Sequence, residues 1–216
     1  YDQVVVNVAL QDLPVVIAVD RAGLVGEDGP THHGVFDIAF LRTIPNLKIL
    51  SPSNEADLSD ALHTALADDG PVVVRYPRGT GTGVEIPADR TVWRPGEPLV
   101  RRRGADAVVF AVGRMVGSAL GAAEELEREG LSVGVVDVRW IKPFDLALVH
   151  EAAAAGSLVV TLEEGALAGG FGEGVVDGLA VAQGGCDVLN LGLSDEFQAH
   201  GATDLLLRDA GLDAAG

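Results

Sequence analysis

The stretch Asp20 to Gly34, DRAGLVGEDGPTHHG, gathers an arginine, close acids and a histidine pair between glycines. A second arginine, Arg78, stands in RYPRG at 75–79, directly after the apolar run PVVV. Two guanidinium groups facing one pocket suit bidentate capture of a phosphate or carboxylate. On a chain of net charge −17 such a pair is costly unless an anion visits it. Distant acids do not interfere, because salt screens exposed charges beyond about 8 Å. His32 and His33 are adjacent, so their side chains are expected to point apart and only one to line a site. A histidine near Asp28 in a stiff loop is poised for proton transfer near neutral pH. Arg21, Asp28, His32 and Arg78 are therefore the candidate residues, with a phosphorylated small molecule as candidate substrate. The alternative is an ordinary glycine-rich crossover loop, in which Arg21 pairs with Asp20 or Asp28 and Arg75 with a nearby acid. No metal site is expected: the histidine pair lacks a third ligand, and His63, His150 and His200 are scattered.

The elements that must position these residues read from apolar periodicity. Pro14 to Asp20 (PVVIAVD) is a β-branched run without polar alternation, as in a strand buried on both faces. Ligands of open α/β sheets sit beyond such carboxyl strand ends. Leu47 to Leu50 and Pro71 to Tyr76 read as strands too. Between them lies a helix capped by Ser53 or Asn54, with the stripe Leu58, Ala61, Leu62, Ala65 and Leu66. Strand, helix, strand implies a parallel pair, which brings Arg21 and Arg78 off one sheet edge if their strands are neighbours. Residues 81–98 read as a linker between a first domain, 1–80, and a second, 99–216. In the second, strands 106–112, 132–138, 157–162 and 187–191 alternate with helices, one carrying Val116, Ala119, Leu120, Ala123 and Leu126, the others at 144–155 and 173–182. The fold class is thus α/β, two successive open sheets of parallel strands. Arg101 to Arg103 reads as a solvated face. Glu163-Glu164 argues against an anion at the following glycine turn, whose glycines serve tight strand-to-helix packing.

Composition excludes other functions. The 32 acidic against 15 basic residues repel nucleic acid and anionic membranes. No apolar run approaches the roughly 18–20 residues of a membrane helix, and no secretory signal is visible. Cys186 is the only cysteine, which excludes an internal disulfide, reads as a small buried side chain and fits a reducing cytoplasm.

The stretch from Asp20 to Glu55, with its G-E-D-G-P-T-H core, resembles the central domain of thiamine-diphosphate enzymes of the transketolase superfamily. Within it, Asp20 to Gly23, Gly34 to Asp37 and Arg75 to Gly79 resemble the 1-deoxy-D-xylulose-5-phosphate synthase family, as do VRWIKPFD at 138–145, EEGALAGGFG at 163–172 and LNLGLSDEF at 189–197. The resemblance covers essentially the whole chain. It implies an incomplete pyrimidine-binding domain followed by a transketolase C-terminal domain lacking its last helix. It also implies condensation of pyruvate with D-glyceraldehyde 3-phosphate, releasing carbon dioxide, for isoprenoid synthesis. Carried over by position, Arg21 and Arg78 match arginines for the triose phosphate group. Asp28 and His32 match residues contacting the reacting part of the acceptor and the thiamine-bound intermediate. Position 33 is histidine where the family more often has glutamine. Thiamine diphosphate and Mg2+ would be held in the complete enzyme by motifs that this sequence does not contain. The chain then reads as a fragment, or one half of a split enzyme, inactive alone and acting in a homodimer or with the missing N-terminal half. Transketolase, a 2-oxoacid dehydrogenase β-subunit and a non-catalytic module of the same fold remain alternatives.

Overall fold

The computed structural model describes residues 1–181 and 187–215. Cys186, expected to be buried, lies outside the described residues. In chain order the first half forms α1 (Asp2–Val4, continued by a π-helical turn at Val5–Ala9), β1 (Val16–Val19), α2 (Asp37–Arg42), β2 (Lys48–Leu50), α3 (Glu55–Leu66) and β3 (Val72–Arg75). The second half forms β4 (Leu99–Arg102), β5 (Ala107–Ala111), α4 (Met115–Arg128), β6 (Val133–Asp137), β7 (Trp140–Lys142), α5 (Ala147–Ala154), β8 (Leu158–Ala166), α6 (Phe171–Val181), β9 (Val188–Leu193) and α7 (Thr203–Asp209).

Two mixed α/β sheets result. The first has the order β1-β3-β2-β7 and the second β4-β6-β5-β8-β9. The expectation of wholly parallel strands needs correction, because each sheet carries one antiparallel edge strand: β7 against β2, and β4 against β6. Arg139, in the left-handed region at φ 55°, reverses the chain after β6. Trp140 to Lys142 thereby crosses from the second half of the chain into the first sheet, where Ser51 N–H donates to Arg139 O at 2.8 Å.

The strands are apolar because helices pack on them: α3 on β3, α4 on β5 and β6, α5 and α6 on β8. β3 is buried at every position, flanked by β1 and β2. β1 itself is not buried on both faces: it is an edge strand, and Ala18 is exposed. Asn54, not Ser53, caps α3, its side chain accepting from Asp57 N–H at 2.9 Å. The buried stripe of that helix ends at Ala65; Leu66, its last residue, is 76% exposed. α5 starts at Ala147 rather than Phe144, because Asp145 Oδ1 accepts Ala147 N–H and Phe144 turns into the core, edge-on to Phe110 and Phe171.

One apolar core joins the halves. Ile38, Leu41, Ile49 and Val73 of the first pack with Phe110, Val136, Val159 and Phe171 of the second. Arg101 does not belong to a solvated face. Its guanidinium donates to Asp137 Oδ2 from Nη2 at 2.7 Å and to Asp57 of α3, a link between the halves. The connection from β3 to β4 carries no regular element. It runs along α3, with Trp93 buried and its N–H donating to Thr64 Oγ1 at 2.9 Å.

Candidate functional site

The loop 20–34 leaves the carboxyl end of β1, and the 76–79 turn leaves that of β3. These strands are parallel neighbours in the register Val19 with Arg75, so both connections leave the same sheet edge. Ala22 N–H donates to Tyr76 O at 3.0 Å and fixes one connection to the other. Gly23 and Gly34 then exchange two N–H to O bonds, each 2.8 Å, which close the loop at its base. Inside it Gly26 to Asp28 form a 3-10 turn. Gly26 has φ +55°, and a Cβ there would stand 2.6 Å from Gly201 O, so only glycine fits.

Arg21, Asp28 and Arg78 come together. Asp28 Oδ2 accepts a charged hydrogen bond from Arg78 Nη1 and lies 3.7 Å from Arg21 Nε. Arg21 also donates to Asp20 Oδ2 from Nη1 at 3.0 Å. Arg21 Nε is buried without a hydrogen-bond partner of its own, so that guanidinium is not saturated. The side chains remain wet: Arg21 is 44%, Arg78 49% and Asp28 28% exposed. The hydrogen bond from Arg78 holds the Asp28 carboxyl below its usual range, and the same bond raises Arg78.

His32 is exposed on the same loop, with Nδ1 2.9 Å from Thr31 Oγ1 and no hydrogen bond to Asp28. His33 turns the other way. Its Nδ1 accepts Val25 N–H at 3.1 Å, so Nε2 carries the proton and donates to Ala199 O at 3.2 Å. The two histidines therefore divide as adjacency requires: one faces solvent and one ties the loop to the second half of the chain.

Arg75, although next to these residues, belongs to another system. It is buried and donates to Asp37 from Nε at 2.8 Å and Nη2 at 3.2 Å. Glu163 and Glu164, set in the otherwise apolar β8, are also buried. Glu163 accepts the N–H groups of Phe171 and Gly172, both at 2.9 Å, so the anion at the start of α6 is the chain's own carboxylate. Burial raises Glu163 above the usual carboxylate range. Two acids in a buried apolar strand demand partners, and that was the signal available in the sequence for this network. Arg114, which grips Glu164, carries no comparable signal.

Beside Arg78 a cleft of about 380 Å³ opens, lined by Asn54, Glu55, Leu58, Tyr76, Arg78 and Arg114. Its wall is held by Glu55, which accepts Thr82 N–H at 3.0 Å and Val84 N–H at 3.1 Å. Hydrogen bonds from its own backbone N–H and from Thr82 and Gly83 lower Glu55 to about 2. Among the described residues no cluster of three or more His, Cys, Asp or Glu is placed to hold a metal ion, and no helix is long and apolar enough to cross a membrane.

The family model for the transketolase pyrimidine binding domain matches residues 1–82, and that for the transketolase C-terminal domain matches residues 96–216. A 1-deoxy-D-xylulose-5-phosphate synthase of Chlorobium luteolum is 49% identical over 216 residues, covering 100% of this chain and 34% of that protein. One of Chlorobium phaeovibrioides is 48% identical over 214 residues, covering 99% of this chain and 34% of that protein. The chain thus spans about a third of the length of these curated relatives. A solved structure described as a split gene transketolase, an inactive beta4 tetramer, superposes with a TM-score of 0.87 at 30% identity, over 99% of this chain and 68% of that one. With both domain models matched in order, and one of them over more than half of its residues, the chain belongs to the transketolase family.

Proposed function

We propose that this chain supplies the acceptor-binding edge of a 1-deoxy-D-xylulose-5-phosphate synthase, which joins pyruvate to D-glyceraldehyde 3-phosphate and releases carbon dioxide. The observation that carries the reading is the convergence of Arg21 and Arg78, from adjacent parallel strands, on the single carboxylate of Asp28. A phosphoryl group offers those guanidiniums more acceptor oxygens than one carboxylate does. Asp28 then acts as an internal stand-in for the phosphate, yielding Arg78 when the acceptor arrives. Released, it is free to accept a hydrogen bond from an acceptor hydroxyl. His32, exposed beside it, is the group that holds or moves the proton as the aldehyde becomes an alcohol. The arginines contribute by orienting the aldehyde.

On this reading the complete enzyme uses thiamine diphosphate and Mg2+, held by family motifs that this sequence does not contain. Exposed Phe36, Phe40 and Phe197 beside the loop support assembly with another surface, a second copy or an N-terminal half. The lone Cys186 supports a cytoplasmic location.

Calorimetric titration of the 216-residue chain with D-glyceraldehyde 3-phosphate and with D-glyceraldehyde tests the reading. Only the phosphorylated aldehyde should bind, and not to the Arg21→Ala, Arg78→Ala double variant. Equal binding of both aldehydes would remove the reading. Given thiamine diphosphate, Mg2+, pyruvate and the triose phosphate, the isolated chain should form no product; turnover would show that its own residues suffice.

A further inference from the structure

We infer that the Arg114–Glu164 pair of the second half is a positioning device for the loop of the first, fixing where Asp28 and His32 stand. The importance of that placement rests on the reading above, but the placement itself does not.

From its own half the loop is held at its base, through Ala22 N–H to Tyr76 O and the paired Gly23 and Gly34, and further out only by the wet Arg78–Asp28 pair. The rest is held from the second half. Glu164 is 3% exposed within β8, and its Oε1 accepts Leu24 N–H at 2.6 Å. Arg114, at the start of α4, grips the same carboxylate with Nε and Nη2. Its Nη2 also reaches Leu24 O at 3.3 Å. Both backbone polar groups of Leu24 are thus bound by one ion pair. The Leu24 side chain, 1% exposed, is inserted among Ala111, Met115, Leu162 and Leu193, all from the second half.

Gly23 shows how close the carboxylate must come. A Cβ there would stand 2.6 Å from each oxygen of Glu164, and the residue sits at φ +82°. From Leu24 the chain reaches Asp28 through a single 3-10 turn, so a fixed Leu24 peptide leaves Asp28 little freedom. His33, bridging Val25 N–H and Ala199 O, fixes the returning limb next to His32. A buried ion pair is a weak source of net stability, since an apolar replacement often does as well. What this one supplies is a backbone position.

The test is amide hydrogen exchange on the 216-residue chain, which needs no substrate, together with inorganic phosphate titration. In Glu164→Ala the amides of residues 23–34 should exchange about tenfold faster, the cost of one unpartnered buried N–H, while β5 and β6 keep their rates. Phosphate should bind about tenfold more weakly, because Arg21 opens the same loop and is no longer held toward Arg78. Glu164→Gln keeps the acceptor for Leu24 N–H and should restore most of both. Arg114→Met, at a partly exposed residue, serves if the alanine variant does not fold, and should loosen the same amides. Unchanged loop amides in both variants would overturn the inference. So would equal acceleration in β5 and β6, which marks a merely structural pair. If exchange responds while phosphate binds to no variant, wild type included, the positioning stands and the functional reading fails instead.

Discussion

Arg75 and Arg78 stand at the end of one strand and each holds an aspartate, yet the two pairs live in different solvents. The side chains of Arg75 and Asp37 are 4% and 6% exposed and share two hydrogen bonds. Those of Arg78 and Asp28 are 49% and 28% exposed, and Asp28 is shared with Arg21. Away from water, removing one partner strands a charge in a medium that cannot solvate it. In water the same pair is weak and exchangeable. The dry pair can therefore lock α2 against β3, while the wet one can surrender a guanidinium to an incoming anion. One residue chemistry serves architecture on one side of the strand end and, on the proposed reading, recognition on the other, with burial deciding which.

The largest expected effect breaks the dry pair. Arg75→Met or Asp37→Ala should each lower stability by about 3–5 kcal/mol in chemical denaturation. A loss under about 1 kcal/mol would make the buried pair no different from an exposed one. The wet pair gives the opposite expectation. Arg78→Ala should leave stability nearly unchanged while weakening phosphate binding about tenfold. A stability loss equal to that of the Arg75 variant would erase the distinction.

A smaller effect follows from pH. Burial raises Asp137 and Glu163, so the folded state holds their protons more tightly than the unfolded chain does. Their contribution to stability is present in full below the unfolded carboxylate values and is lost as pH rises through the raised folded ones. Acidifying from neutrality should therefore first stabilise the protein relative to Asp137→Asn and Glu163→Gln. Asp28, lowered by its bond to Arg78, behaves in reverse: its pairing persists through the usual carboxylate range and is lost only in stronger acid. Stability measured against pH in wild type and the two amide variants checks the sign; parallel curves would contradict it.

The sequence makes some of this legible and hides the rest for physical reasons. β3 and β6 and the helices α3 and α4 announce themselves by apolar runs, a cap and a helical stripe, because each buries a whole face. β7 does not: three residues long, it begins only three positions after β6 ends, and only the left-handed Arg139 sends it to the other sheet. β4 is disguised by Arg101, whose charge reads as solvated until Asp137 and Asp57 are seen to meet it. The short helices α2 and α7 bury too few residues to show a period. At the site, the neighbouring edge positions of Arg21 and Arg78 follow from strand order alone. The choice between His32 and His33 does not, because it depends on Ala199, far along the chain.

A double-mutant cycle on phosphate affinity tests the central claim most directly, with inorganic phosphate titrated into wild type, Arg21→Ala, Arg78→Ala and the double variant. If one phosphoryl group meets both guanidiniums, each single change should cost about tenfold and the two should couple by more than about 0.5 kcal/mol. Strictly additive losses, or phosphate binding that survives both substitutions, would mean that the arginines do not share a ligand.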